Sequence, residues 1–344
     1  LTKPPNNSII SPLAFRLLAQ LVCIMLSVDE AQGHSGPEHG DEASASWFKA
    51  PYQSVATRRE AQQGARALHK HDFIELVIIL RGQGTHIIED ARHTVQAGDT
   101  FVVPPNIQHA YSDTNQLDLF NILIRNQHMQ TLHRECIGMP GFYALFLLEP
   151  KMRVAHKFSS HLQLSPQGLT EIDDWINCLE VEAQHTTRLA CSRARAFLQL
   201  IIGNLCMQYE ELSSLDSANL LQIANCIRYM EDNLDRSLQL ADLARVAGMS
   251  ERSLSRNFHA TIGQSPIEHL LHMRLQHAEE LLLASPTPIS QIAYEVGFHD
   301  ANYFTRQFHK LRGMSPRAFR KQAEKNYNAN AHEAATYTEA YGTG

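Results

Sequence analysis

The alternation of apolar and polar residues predicts a region of β-strands between about residues 47 and 130. Apolar residues there occur in short runs, and Gly, Pro, Asn or Asp separates most of them. Short runs bounded by such residues are typical of strands, and several in succession predict a small sandwich or barrel. The predicted strands are Glu75 to Leu80, Thr85 to Glu89, His93 to Val95, Thr100 to Val103 and Leu117 to Ile124.

From about residue 168 the apolar residues recur with the period of an α-helix. One stripe runs from Leu169 to Glu182, and a broader one from Arg188 to Leu212. The broad stripe has two interpretations: a core helix that packs on the barrel, or a helix through which two chains dimerise. The pattern favours neither, and the two roles are compatible. Strands followed by helices predict an α+β fold.

Residues 218–325 contain an internal repeat. The stretch Leu243 to Ser250 recurs as Ile292 to His299, and Leu254 to Phe258 recurs as Phe304 to Phe308. Each copy predicts a helix, a turn with a glycine, and a second helix. A helix, a short turn and a second helix form the helix-turn-helix unit that enters the major groove of DNA.

The helix ends within this repeat carry clear capping signals. Ser250 and Asp300 suit the N-caps of the second helix in each copy. Ser265, Pro266 and Glu268 have the spacing of a capping box at the start of a long connecting helix. If that helix holds the two units side by side, their second helices enter successive major-groove segments, roughly 34 Å apart.

The charge of the chain is unevenly distributed, which changes the interpretation of its average. The 344 residues carry a formal charge of −6, and 44% of them are hydrophobic, so a mainly disordered chain is excluded. Residues 218–325 hold 13 basic and 11 acidic side chains, and residues 301–325 hold 7 basic and 1 acidic. A basic segment at the second unit is what contact with phosphate requires.

These residues resemble a known family. The stretch Ile289 to Arg320 holds nearly the whole signature of the AraC/XylS family of bacterial transcription regulators, and the similarity is closest to the activators of the rhamnose operons. The resemblance implies that the second helix of each unit contacts bases. The matching positions are Arg252, Ser255 and Arg256 in the first unit, and Asp300, Asn302 and Arg306 in the second.

The residue types suit this role, although simpler roles exist for three of them. Arginine can bond guanine through two atoms, and asparagine can do the same with adenine. The alternative for Arg252 and Arg256 is that they are solvated helix charges, and Arg306 can contact a phosphate instead of a base.

The β-region carries a second pattern. His69, His71 and Glu75 are followed, beyond Gly98 and Pro104, by His109. This spacing resembles the two motifs of the cupin barrel, in which three histidines and a carboxylate bind a divalent metal ion. Asn106 stands where the cupin motif has glycine. The pattern therefore indicates a cupin-like barrel with a candidate metal site at His69, His71, Glu75 and His109.

Three interpretations of these side chains compete. They bind a small-molecule effector directly, they hold a metal ion that helps to bind the effector, or they are framework residues bonded within the barrel. The resemblance to AraC-type regulators favours the first, with Tyr111 at the mouth of the pocket as a fifth effector-binding residue. His86 and His93 lie outside the motifs and are predicted at the surface. The likeness to rhamnose regulators makes a sugar such as rhamnose the expected effector.

The two ends and the cysteines are less informative. Leu17 to Val28 is an apolar run that resembles part of a signal peptide but is shorter than the about 20 residues of a spanning helix. It indicates either export or an extension upstream of an alternative start. The six cysteines are scattered without metal-ligand or disulfide spacing, as expected for free thiols in a reducing cytoplasm.

We therefore predict five segments. Residues 1–46 are an N-terminal extension or linker, and 326–344 a flexible tail. Between them lie a cupin-like effector-binding domain (47–165), a helical dimerisation or coupling segment (166–217) and an AraC-type double helix-turn-helix domain (218–325).

The predicted function is a cytoplasmic, DNA-binding transcription regulator that an effector in the barrel controls, an activator rather than a repressor. The expected partners are double-stranded promoter DNA, the effector, RNA polymerase and a second copy of the chain, with no membrane and no catalytic residue. No cofactor is certain, and a divalent metal is the one candidate. The alternative is a metal-dependent cupin enzyme, such as a dioxygenase or sugar isomerase, fused to a DNA-binding module.

Overall fold

The protein is represented by a computed structural model that describes residues 43–136, 138–154, 162–212 and 215–322. The described residues divide into two compact units, one of residues 43–229 and 244–264, the other of 230–243 and 265–322. The predictions for the apolar run at 17–28 and for the tail at 326–344 lie outside the described residues. The predicted domain boundaries remain predictions.

The first unit is built on a seven-stranded antiparallel sheet. Its order is β1-β6-β3-β5-β7, with β2 paired to β6 and β4 paired to β3. The predicted β-region is therefore confirmed. The strands are β1 (Val55–Glu60), β2 (Arg66–His69), β3 (Ile74–Ile88), β4 (Ala91–Gln96), β5 (Asp99–Val103), β6 (His109–Ile124) and β7 (Leu162–Gln163).

Two long strands differ from the prediction: β6 begins at His109 and not at Leu117, and β3 joins two predicted strands into one. The glycines between the predicted strands Glu75 to Leu80 and Thr85 to Glu89 indicate a turn, but β3 continues through residues 81–84, with shifts of register against β6 between Ile79 and Thr85. Gly82 has a φ of +76°, and an added Cβ there would collide with the backbone of Gln116. The glycine thus allows β6 to pack closely against an irregular strand, and it does not reverse the chain.

Several of the helices between residues 44 and 232 contact the sheet. Ser165 and Thr187 cap α5 and α6 by accepting hydrogen bonds from Gly168 N and Ala190 N. Both helices contact each other and β1, so the interpretation of the broad stripe as a core helix is confirmed. The helices are α1 (Ser44–Trp47), α2 (Asn126–Glu135), α3 (Pro140–Tyr143), a π-helical turn (Ala144–Leu148), α4 (Glu149–Val154), α5 (Pro166–Ala183), α6 (Arg188–Glu210) and α7 (Leu215–Asp232).

The repeat forms helices at the predicted places, with the long connecting helix between its two copies. They are α8 (Leu240–Val246), α9 (Glu251–Ile262), α10 (Pro266–Ala284), α11 (Ile289–Glu295) and α12 (Ala301–Arg312), and residues 316–322 are helical as well. The predicted N-caps Ser250 and Asp300 accept hydrogen bonds from Ser253 N and Asn302 N. Both hydrogen bonds of the capping box between Ser265 and Glu268 are present. The α+β fold class is confirmed.

The cysteines of the described region are all free. Four are buried and Cys178 is exposed. Burial raises the pKa of the Cys136 and Cys226 thiols to about 12, so both stay protonated and unreactive at neutral pH. No described helix combines the length and the apolar character needed to cross a membrane.

Candidate DNA-binding and effector sites

The two helix-turn-helix turns have the same backbone geometry. In the first, Met249 N donates to Ala244 O at 3.0 Å and Gly248 N donates to Arg245 O at 3.2 Å. In the second, Phe298 N and Gly297 N make the equivalent hydrogen bonds at 2.9 and 3.1 Å. Both glycines lie in the left-handed region, as a Schellman motif requires. Each turn thus ends its first helix with the glycine that the repeat predicted.

The second helices, α9 and α12, share one pattern of burial. Leu254 and Phe258 on α9 are fully buried, and so are Phe304 and Phe308 on α12. The three positions between them are half-buried, exposed and half-buried in both helices, and the next two positions are exposed in both. One face of each helix is therefore held by the core, and the opposite face is available for contact.

The predicted DNA contacts lie on or beside these available faces. Arg252, Arg256, Asn302 and Arg306 are exposed, and Ser255 is half-buried. The exposed Asp300 has a structural role too, because its Oδ1 accepts the backbone N–H of Asn302 at 2.7 Å. Their role in contacting bases stays a prediction.

The basic segment 301–325 does not offer all of its charge to DNA. Arg312 pairs with Glu279 of α10, with one hydrogen bond of 2.8 Å. Arg320 donates to the carbonyl oxygens of Leu282 and Thr287 at 3.2 and 2.7 Å. These two arginines stabilise the packing of the helices. The exposed basic residues of the segment include Arg306, Lys310, Arg317 and Lys321.

Three of the four predicted metal ligands meet inside the sheet domain, which is the part of the first compact unit that holds strands β1 to β7. Glu75 Oε2 lies 3.4 Å from His71 Nε2 and 3.3 Å from His109 Nε2, and the ligand atoms of all three residues lie within 4.8 Å of one another. Burial alone would raise the pKa of Glu75, but the two imidazoles hold it well below its usual range. His69 is not part of this group, although its ring lies 4.1 Å from that of His109.

Hydrogen bonds orient one of these imidazoles. His71 Nδ1 donates to the carbonyl oxygen of Phe73 at 2.7 Å, so a neutral His71 carries its lone pair on Nε2, the atom that faces Glu75. No described residue forms a hydrogen bond with that Nε2. A lone pair facing a carboxylate is unfavourable unless a proton or a cation lies between them. Two imidazoles and a carboxylate suit a divalent transition metal, so the donor set fits such an ion.

The departure from the cupin motif at Asn106 causes no strain of consequence. Asn106 has a φ of +62°, in the left-handed region that glycine favours and asparagine tolerates. Its backbone N–H donates to His71 O at 2.7 Å. The substitution therefore keeps the turn that supports one of the grouped histidines.

Two predictions about neighbouring side chains are wrong. His86 is fully buried and not at the surface, because it shares the inward parity of Ile88 on β3. Tyr111 is 4% exposed and packs in an apolar cluster, so it does not lie at the mouth of a pocket. The two rings lie 5.0 Å apart, and His86 lies 5.8 Å from His109. The ring of His69 belongs to the same cluster. Burial lowers the pKa of His69 to about 4.

The sequence gives little signal for a buried arginine and glutamate that lie beside this cluster. Arg153 Nη2 donates to His86 Nδ1 at 3.3 Å, and its Nη1 lies 3.9 Å from Glu149 Oε1. Both residues are 1% exposed. Burial raises the pKa of Glu149 to about 8 despite the nearby Arg153, and the hydroxyl of Tyr209 on α6 also faces this carboxylate. The pair thus connects the inside of the sheet to α6.

Comparison with known proteins agrees with both parts of this geometry. The family model of the AraC-like ligand binding domain matches residues 51–196, and that of a helix-turn-helix domain matches residues 243–322. The chain is 28% identical over 281 residues to the HTH-type transcriptional activator RhaR of Salmonella schwarzengrund, covering 80% of this chain and 94% of that protein. For the RhaR of Enterobacter sp. strain 638 the identity is 27% over 274 residues, covering 79% and 93%.

A solved structure is similar to part of the chain. It is a transcriptional regulator with an AraC-type DNA-binding domain from Chromobacterium violaceum, 29% identical, with a TM-score of 0.29, covering 30% of this chain and 91% of that one. By its two family matches and its full-length relatives, the chain belongs to the AraC/XylS family. It is a DNA-binding transcription regulator with a ligand-binding domain. The matches are to regulators, so the alternative of a cupin enzyme has no support among them.

Proposed function

We propose that the chain activates transcription from a promoter to which both helix-turn-helix units bind, under the control of a sugar in the sheet domain. The observation that carries this proposal is the common burial pattern of α9 and α12. It holds the apolar face of each helix in the core and leaves Arg252, Arg256, Asn302 and Arg306 exposed. An arginine or asparagine on such a face can bond base edges in the major groove.

The sign of regulation and the effector follow from the relatives. Those named above are called activators, which supports activation through RNA polymerase. The resemblance to the rhamnose-operon regulators supports a sugar such as rhamnose. A sugar has hydroxyl groups that both donate and accept, and the buried histidines, Glu75 and Tyr111 offer the same mixture. A regulator that binds chromosomal promoters acts in the cytoplasm.

The sheet domain is the proposed effector site, with a divalent ion as a candidate component. His71, Glu75 and His109 would hold the ion, which would supply a positive charge to orient effector oxygens. Residues 47–165 bind the effector, 166–217 couple and dimerise, and 218–325 bind DNA. The effector regulates the protein by binding one arrangement of these segments more tightly than another.

Helix α6 supports the proposed homodimer. Leu189, Leu200 and Met207 are 61%, 48% and 57% exposed. With Ala196 and Gly203 they form one stripe with the seven-residue spacing of a coiled-coil seam. An added Cβ at Gly203 meets no atom within 4 Å, so a second helix has room to approach. A second copy of the chain is the occupant that such a self-complementary seam fits.

Footprinting on the protein's own upstream region tests the proposal. We expect salt-sensitive, sequence-selective protection of two major-groove segments per chain. Arg252→Ala should weaken binding by about 1–3 kcal/mol and relax the preference at one base pair. Arg81→Ala removes the same charge from an exposed residue of the sheet domain and serves as the control. Absence of selective protection with and without sugar would refute the proposed function.

A further inference from the structure

The compact unit that holds the sheet contains an open cavity of about 490 Å³, which lies outside the group of His71, Glu75 and His109. It lies between the segment that precedes β1, helix α2 and helix α6. A volume of this size falls in the range of small-molecule sites. Its lining is mainly polar: Tyr52, Ser54, Arg125, Gln127, His128, Thr131, Glu135, Ser192, Arg195 and Gln199 line it together with Pro51 and Ala196.

Two buried polar atoms at this cavity have no hydrogen-bond partner within the described part of the chain. They are Oγ of Ser54 and Nε2 of His128, and the His128 residue is only 7% exposed. Buried polar groups are normally paired, and an unpaired one is costly. Both residues line the same cavity, so one bound molecule can satisfy both atoms.

The charge of the lining favours an anion. Arg125 is committed to the structure, because it donates to the carbonyl oxygens of Gln53, Phe48 and Ala50. Arg195 has one long hydrogen bond to a described residue, 3.5 Å to Tyr52 O, and most of its donors are left for a ligand. Burial, and then the positive charge of Arg195, lower the pKa of His128 to about 4, so this imidazole is neutral at physiological pH.

The remaining groups of the cavity complete an oxyanion site. The hydroxyl groups of Ser54, Thr131 and Ser192 are donors suited to carboxylate or phosphate oxygens, and Glu135 is the one acid in the lining. We propose that this cavity binds a small polar metabolite that carries a carboxylate or a phosphate, with Arg195 as its main anchor. It is a second ligand site, separate from the effector site in the sheet domain.

The position of the cavity indicates what its ligand would regulate. Ser192, Arg195 and Gln199 lie on α6, and Ala196 belongs to both the cavity and the apolar stripe of that helix. A ligand in the cavity therefore contacts the proposed dimer helix. This regulatory part rests on the proposed function, whereas binding of the anion does not.

Calorimetry on the full chain tests the inference with three probes of similar size: glucose 6-phosphate, gluconate and glucose. The comparison uses Arg195→Gln and, as a control, Arg81→Gln, which removes an exposed charge on β3 outside the cavity lining and outside the apolar stripe of α6. We expect the wild type and the control to bind at least one of the two anions and Arg195→Gln to bind it at least tenfold more weakly. Which of the two anions binds distinguishes phosphate from carboxylate.

Several results would overturn the inference. They are binding of glucose that Arg195→Gln weakens as much as it weakens anion binding, no binding of either anion, or equal affinities of the two variants. Circular dichroism checks that Arg195→Gln unfolds at the same urea concentration as the control. Footprinting of both variants separates the two proposals. If Arg195→Gln loses anion binding but still protects DNA, the anion site is supported independently of DNA binding. If the wild type protects no DNA, that result contradicts the proposed function and leaves the anion site unaffected.

Discussion

Replacing Gly297 by alanine should destabilise the second helix-turn-helix unit far more than Gly248→Ala destabilises the first. The two glycines occupy the same point of the same turn, with φ values of +85° and +64°. At Gly297 an added Cβ would lie closer than 3.0 Å to the carbonyl oxygen of Leu234 and 2.9 Å from Nε of Arg274. At Gly248 the nearest atom is Nε2 of Gln222, at 3.9 Å.

The magnitude follows from these contacts. Alanine in left-handed backbone costs about 1–2 kcal/mol at either position. At Gly297 the collision adds about 1–3 kcal/mol, as for an overpacked core. It also displaces Leu234 O, which accepts a 2.9 Å hydrogen bond from Arg274 Nε and whose disturbance costs about 1 kcal/mol. The expected losses are therefore about 1–2 kcal/mol for Gly248→Ala and about 3–6 kcal/mol for Gly297→Ala.

Urea unfolding of the full chain, followed by circular dichroism at 222 nm, measures this difference, and footprinting reports its effect on DNA. Gly297→Ala should lower the urea midpoint of the unfolding transition that includes the second helix-turn-helix unit. It should also remove the protection of one of the two major-groove segments. Gly248→Ala should leave most of the binding intact. Equal shifts of the two variants would show that the turn conformation alone sets the cost, and the contact argument would then be wrong.

Four further outcomes are expected. Since the pKa of Glu149 is raised to about 8, the folded chain holds up to one proton more than the unfolded chain between about pH 4.5 and 8. The free energy of unfolding should therefore fall by up to about 1.4 kcal/mol per pH unit as the pH rises over that range. Glu149→Gln should flatten this pH dependence, which urea titrations at several pH values measure. Leu200→Glu should convert the proposed dimer to a monomer in sedimentation, whereas Val181→Glu, at a residue also exposed, should not. Mn²⁺ should bind the wild type with one-to-one stoichiometry in calorimetry, and His109→Ala should lose at least tenfold in affinity. Equal affinities of the two proteins would show that His71, Glu75 and His109 do not form a metal site. Ser265→Ala should lower the free energy of unfolding by about 1 kcal/mol by removing the capping box, and no change would contradict that role.

The features that the sequence predicts well are those that neighbouring residues determine. The caps at Ser250, Asp300 and Ser265 depend on side chains within three residues, and the glycine turns of the repeat depend on local backbone conformation. The burial of Leu254 and Phe304 follows from helical spacing. The repeat, its turns and its caps are accordingly where the pattern predicts them.

The features that the sequence does not reveal arise from contacts between distant segments. The turn signal around Gly82 is overridden because β6 pairs along the whole of β3. The parity of β3 could have placed His86 inside, but nothing near Arg153 indicates that its side chain reaches His86, since these two residues are distant in the sequence. A charged residue in a short helix is more often exposed. The sequence predicts that His71, Glu75 and His109 lie together because a motif links them. It does not predict that His69 is outside this group, because spacing along the chain does not specify the orientation of a ring.

The length and position of β6 have a consequence for how the protein is made. Val55 of β1 pairs with Ile124 of β6, and β2 and β3 pair with the same strand. At about 5–20 residues per second, the ribosome needs several seconds to extend the chain from β1 to the end of β6. Until then β1 and β2 have an unpaired edge of the kind that aggregates, while β3 and β4 can already form a hairpin. The nascent sheet domain is therefore a candidate client for chaperones, and codon changes that slow translation between residues 60 and 124 should lower its soluble yield.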